Sequence, residues 1–416
     1  MNNITHIVAI LFRLPVGALF VFSGFVKAID PLGSTYKIAE YLEAFGMNFL
    51  EPSARYLGML QNAVEIAIGL CLIMGVCMKL TSWALMLFMS FYTALTLVLA
   101  ILNPVSDCGC FGDAIKLTNW QTFFKNLILF VPTLLLFSLR NRYRRFFAAP
   151  LEWLYVALFF GGAFALSSYC YKHLPPLDFM PYHVGQHLPT AMAIPEGAPR
   201  DEYSVKLIYA KDGKEQEFSD TDFPWQDSTW VFVDSKSTLV KKGYTPPVHG
   251  FSITHYENGD ITDDVLAAEY AFLLVAPKLE QVDAPDWGRI KSLAAFAKSK
   301  GHTFLGLTAS TQGYARDFGA RNALTFDFCS ADETTLKSMV RAHPGLMLLY
   351  RGTVVGKWSH HDIPAAVDFG ENPLANNLNM LRQAGENVAS YAFILAGLAA
   401  VLLLAMPGCK RKHAKR

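Results

Sequence analysis

Residues 80–102 read LTSWALMLFMSFYTALTLVLAIL, twenty-three positions without a charged side chain. A helix needs about 20 apolar residues to cross the hydrocarbon core of a bilayer, where no water satisfies the backbone. Working outward, five more stretches of the 416-residue chain reach that length: 4–26, 57–78, 120–139, 151–171 and 388–406. Trp83, Trp120 and Trp153 sit at the ends of such runs, as interfacial belt residues do. The whole chain is 52% hydrophobic with a mean hydropathy of +0.25, above what soluble domains carry. The first run is too long for a signal peptide, and Phe25-Val26-Lys27 offers no small-residue cleavage site, so it reads as an uncleaved helix. The net charge of +1 gives no overall field, and no basic face interleaved with aromatics marks a nucleic-acid surface.

Basic residues orient the spans. Arg140, Arg142, Arg144 and Arg145 crowd the loop after the fourth run, and the segment 410–416 is strongly basic. Both clusters fall on the cytoplasmic side in one topology, which puts the two termini inside and the region 174–387 outside. In a bacterial inner membrane that outer space is the periplasm. The same count places the loops near Lys37 and Cys108 outside. In the first of these loops Ile38, Tyr41, Leu42 and Phe45 follow helical spacing, which predicts either an amphipathic helix on the outer membrane surface or a packed loop helix.

The region 175–199 is proline-rich and reads as an extended linker. Strands are expected at 203–209, 229–233, 271–276, 302–307, 346–350 and 354–358, and helices at 286–300 and 334–340. From Ala271 the order is β-α-β-α-β-β. No internal repeat, phosphate-binding glycine loop or nucleophile elbow is present.

Of seven cysteines, Cys71 and Cys77 read as packing thiols within the second span, and Cys409 falls in the basic cytoplasmic tail. Cys108, Cys110, Cys170 and Cys329 remain on the outer side. Cys108-Gly109-Cys110 is the sharpest local feature. Two thiols one residue apart bridge only through a tight turn, which Gly109 permits, and a strained disulfide exchanges easily. Redox exchange stands against a structural disulfide and half of a metal site; His360-His361-Asp362, and His183 with His187, read as solvated loop residues rather than ligands. Arg13 and Glu65 are ionisable groups inside apolar runs, expected to pair with each other, with Gln61 or Asn62 nearby, either as a proton or quinone site or as a packing pin between helices.

Arg13, Gly17, Phe20, Ser23, Gly24 and Lys27, followed by Glu65, Gly69 and Leu70, resemble the DoxX superfamily of four-helix membrane proteins. The Cys108-Gly109-Cys110-Phe111-Gly112 loop is similar to its MauE-type branch, named for methylamine utilisation. That resemblance implies a part in maturing a disulfide-rich periplasmic dehydrogenase subunit. The stretch from Ala271 to Lys357 resembles periplasmic thioredoxin-like domains of the TlpA kind, with His343-Pro344-Gly345 where that fold carries its cis-proline. The chain departs from that pattern, because no Cys-x-x-Cys follows the 271–276 strand. Such a domain either binds substrates or docks over the membrane cysteines, and Cys329 reads as buried and structural.

The expected architecture is therefore a membrane all-α bundle, DoxX-like with additional helices, joined to an α/β thioredoxin-like soluble domain. The parts are a four-helix domain at 1–145, a fifth helix at 146–173, an extracytoplasmic domain at 174–387 with its thioredoxin-like part at about 270–365, and a closing helix with basic tail at 388–416. The expected function is thiol–disulfide exchange between extracytoplasmic protein thiols and the quinone pool, through Cys108 and Cys110, with quinone near Arg13 and Glu65 and the soluble domain recruiting the partner. The rivals are a non-catalytic assembly scaffold and a small-molecule transporter.

Overall fold

The computed structural model describes residues 3–105, 107–143, 147–199, 202–211, 214–219, 229–241, 243–282 and 286–382. The expected sixth span at 388–406, the tail with Cys409, and Arg144 and Arg145 lie outside them.

Five described helices are long and apolar enough to cross a membrane: α1 (Asn3–Ile29), α3 (Ala54–Met74), α4 (Met78–Leu102), α5 (Asn119–Ser138) and α6 (Ala149–Lys172). The protein is thus a multi-pass membrane protein whose helices face lipid. Between α1 and α3 lies the amphipathic α2 (Pro31–Ala44). Asp30 caps it by accepting from the Gly33 N–H at 2.9 Å, and Pro31 opens it with a preset φ. One expected boundary shifts. Gly75, at φ +73°, closes α3 with its N–H on the Cys71 carbonyl, so Cys77 lies in the turn before α4 rather than inside a helix.

Glycines set how α1 meets α3. A Cβ on Gly69 would stand 2.7 Å from the Gly17 carbonyl oxygen and 2.7 Å from the Val21 nitrogen, and one on Gly24 would stand 2.7 Å from Ile66. Backbones therefore touch, as small residues allow in lipid, where packing rather than the hydrophobic effect drives association. This register puts Ser23 level with Glu65. Arg13, ten residues earlier on α1, lies about 15 Å further along the axis.

The remainder is α/β. A three-stranded antiparallel sheet, order β2-β1-β3, comprises β1 (Glu202–Lys211), β2 (Lys214–Ser219) and β3 (Val231–Lys241). A seven-stranded sheet, order β10-β9-β6-β7-β8-β4-β5, comprises β4 (Thr254–His255), β5 (Gly259–Asp260), β6 (Tyr270–Val275), β7 (Thr303–Thr308), β8 (Phe328–Ser330), β9 (Gly345–Tyr350) and β10 (Thr353–Ser359). β6, β7 and β8 are parallel, while β9 and β10 run antiparallel to their neighbours. All six β6 residues are buried, because separate apolar clusters cover the two faces of the sheet. Helices α7 (Leu188–Met192), α8 (Thr262–Ala267), α9 (Trp287–Ser299), α10 (Gln312–Arg321), α11 (Glu333–Met339) and α12 (Ala366–Phe369) complete the described chain. The expected strands and helices from 271 onward fall on β6, α9, β7, α11, β9 and β10. α10 and β8 are additional: α10 buries only Ala315, and β8 is three residues long, so neither leaves a strong apolar period.

Candidate functional site

Cys108 and Cys110 sit in the loop between α4 and α5, held from three sides. Asp107 accepts from the Gly109 N–H at 2.9 Å, and Gly109 adopts φ +60°, which favours glycine. From α2, Tyr41 donates its hydroxyl to the Cys108 carbonyl at 2.6 Å, and Lys37 lies so close to Gly109 that a Cβ there would meet its Cγ at 2.8 Å. From α1, the Ser23 hydroxyl is 2.7 Å from both the Cys110 carbonyl and Glu65 Oε1, so its single proton serves one or the other. From α5, Thr122 Oγ1 is 3.3 Å from Cys108 Sγ.

The two thiols are unbridged and unequal. The hydrogen bond from Cys110 pulls the Cys108 thiol down to about 6, against the effect of burial, with help from Thr122 and the Lys125 charge. The same hydrogen bond, burial and the repulsion of a Cys108 thiolate push Cys110 well above the ordinary thiol range.

Both cysteines line a cavity of about 460 Å³ that reaches into the bundle. Its walls are mainly apolar and include Phe20, Ile38, Phe88, Leu95 and Leu129; Glu65, Lys27, Lys37, Lys125 and Tyr92 supply polar groups. Glu65 forms an ion pair with Lys27, both side chains 7% exposed. The expected Arg13–Glu65 pair is therefore corrected. Arg13 is buried near Tyr143, away from this cavity, because the glycine contacts fix a register that brings Ser23 and Lys27 to Glu65 instead. Asn62, expected near the pair, donates to the Lys27 carbonyl at 3.0 Å.

The α/β part docks on the same end of the bundle. Buried Arg341, just before β9, reaches Asp30 at 3.0 Å and Asp113 in the cysteine loop at 2.7 Å. Burial opposes its charge, but the two carboxylates more than reverse this and raise its affinity for the proton. Tyr36 of α2 hydrogen-bonds His343, whose peptide bond to Pro344 is cis. Lys357 meets Asp178 at 2.6 Å, the Ser359 hydroxyl donates to the Lys172 carbonyl at 2.6 Å, and His173 meets Asp362 at 2.8 Å.

The other expected sites stay apart. Cys329 is fully buried on β8, and burial pushes its thiol up to about 11. Cys170 is buried on α6. Among the described residues no group of three or more His, Cys, Asp or Glu is placed to hold a metal.

Against known families, the model for methylamine utilisation protein MauE matches residues 5–139, which span α1 through α5 and the cysteine loop. The helical bundle is MauE-like. A second match, over residues 203–242, is to a domain of unknown function (DUF8463) and covers the three-stranded sheet. No curated protein and no solved structure matches the chain.

Ser23, Lys27, Lys125, Thr122 and Arg341 belong to this site or its docking surface but were not expected there as functional groups. Lys125 carried the clearest signal, as a charge inside the 120–139 run, the same kind of signal that singled out Arg13 and Glu65. Arg341 and Asp113 carried none, because their meeting depends on tertiary docking.

Proposed function

We propose that this MauE-like membrane protein exchanges disulfides with extracytoplasmic protein thiols through Cys108 and Cys110 and passes the electrons to a lipid-soluble quinone. The observation that carries this reading is the opening of an asymmetric thiol pair into an apolar cavity inside a membrane bundle. A sulfur that ionises near pH 6 is the better leaving group, so the partner thiolate attacks Cys110 and Cys108 departs. The partner's second thiolate then releases Cys110 as the partner's own disulfide closes. Reclosure of the Cys108–Cys110 bond gives up two electrons and the Cys110 proton, and with one further proton from water these convert a quinone to the quinol. The apolar walls suit a quinone ring and tail, and the Lys27–Glu65 pair with Ser23 suits proton transfer at its oxygens. Arg13 has no place in that step. The MauE match supports work within methylamine utilisation.

In this reading the membrane is a bacterial inner membrane, and the cysteine loop and α/β region face the periplasm. The region from β6 to β10 is a thioredoxin-like domain that docks over the membrane cysteines instead of recruiting the partner with its own thiols. Its β6–α9 connection carries no cysteine, and the His343-Pro344 loop is turned onto α2.

The test is the thiol state in intact membranes. Mass-tag alkylation should label Cys108 and Cys110 only after reduction, and Cys108→Ser should trap a mixed disulfide in the return direction, as the Cys110 thiolate opens the oxidised partner's disulfide and finds no Cys108 to complete the exchange. Two free thiols and no trapped species would overturn the proposal. They would leave the second reading, an assembly scaffold, which the docked domain's missing Cys-x-x-Cys favours and whose partners would persist when both cysteines are replaced.

A further inference from the structure

The charges around the cavity do not cancel in pairs. Lys37 is met by Glu40 at 2.6 Å and Asp107 at 3.4 Å, and Lys27 is met by Glu65. Lys125 lies over the Phe111 ring, its Nζ 4.6 Å from the centroid, and among the described residues no carboxylate stands within ion-pair distance of it. Its helix, α5, is a membrane span. Thr122, Lys125 and Asn126 fall three and four residues apart on one face of that helix; Thr122 reaches the Cys108 sulfur, and the other two line the cavity with it. A cation at such a place is costly unless an anion faces it.

We propose that Lys125 is the electrostatic partner of Cys108 and holds its sulfur as a thiolate when the Cys108–Cys110 bond opens. The assignment rests on the thiol-exchange reading. The electron pair of the partner thiolate forms a bond to the Cys110 sulfur, the Cys108–Cys110 bond breaks, and its pair stays on Cys108. When the partner's disulfide closes, two electrons have entered the pair. Of the two protons lost by the partner's thiols, one remains on Cys110 and one goes to water. Lys125 acts through charge and position, and Phe111, next to Cys110, keeps its ammonium on the loop. The low ionisation point of Cys108, to which Lys125 contributes, fits this role.

The test uses the full-length reduced protein in lipid nanodiscs and reads Cys108 alkylation against pH by peptide mass spectrometry. The wild type should be half-maximal near pH 6. Lys125→Met should raise that midpoint, with a fall of about twofold in rate at pH 6, as expected for loss of one of several groups that favour the thiolate. Lys125→Arg should restore it, and Lys116→Met, which removes an exposed loop cation, should change nothing. Should Lys125→Met fail to fold, Phe111→Leu frees the ammonium and should move the midpoint the same way. An unmoved midpoint in Lys125→Met or Phe111→Leu, an equal shift in Lys116→Met, or no rescue by Lys125→Arg would overturn the proposal. Alkylation requires neither partner nor quinone. A Lys125-dependent titration in a protein that traps no partner would sink the exchange function and leave this assignment standing, and partner trapping with a Lys125-independent titration would do the reverse.

Discussion

Glu65 and Lys27 share an ion pair that excludes most water, so the loss of either leaves the other as a bare charge among apolar walls. Glu65→Gln should cost about 3–5 kcal/mol of bundle stability, and Lys27→Met a similar amount. The double variant should recover at least half of the summed loss, measured by denaturant unfolding in bicelles; simple additivity would mean that the pair is not coupled. At this scale the sequence spoke clearly about which residue types were unusual and poorly about which met. Cys108, Cys110 and Glu65 stand out because thiols one residue apart and charges in apolar runs are uncommon. The partner of Glu65 was misjudged because depth alone does not rank Arg13 against Lys27. That choice belongs to the helix register, and the register is set by glycine contacts between chains of atoms far apart in sequence.

Elements transmit that register. The close approach of α1 and α3 at Gly17 and Gly69 lies one turn from Glu65. Gly69→Ala would push Cβ into backbone atoms, which cannot yield as a side-chain tip can. The expected result is a loss of about 1–3 kcal/mol, as for other overpacked sites, together with weaker protection of Cys108 from alkylation by bulky maleimides as the cavity wall parts. Unchanged stability and labelling would refute the role given to this contact. α2 has a matching task, since Tyr41 and Lys37 hold the cysteine loop while Tyr36 and the Asp30 cap hold the docked region. The long helices were legible because twenty apolar residues have few alternatives, and the buried strands because they form short unbroken apolar runs. α10 and β8 were not, since one buried alanine or three residues carry no period.

For the whole molecule, Arg341 ties the α/β region to the bundle through two ion pairs. Arg341→Met should weaken docking by about 2 kcal/mol, less than for a fully buried pair because Asp30 and Asp113 keep some water. Limited proteolysis should then cut 173–187 faster while the bundle keeps its helicity; an unchanged cutting rate would show that the tie is redundant. The docked arrangement was legible only as one of two options, because the missing Cys-x-x-Cys says what the domain lacks and not where it sits. Residues 173–187, the connection between α6 and α7, also fix the stoichiometry. A tether this short holds the region near its seat at an effective concentration in the millimolar range. Contacts far too weak to join two separate proteins therefore keep the seat filled nearly all the time, and a free copy of the region at micromolar concentration would be unable to displace the resident one.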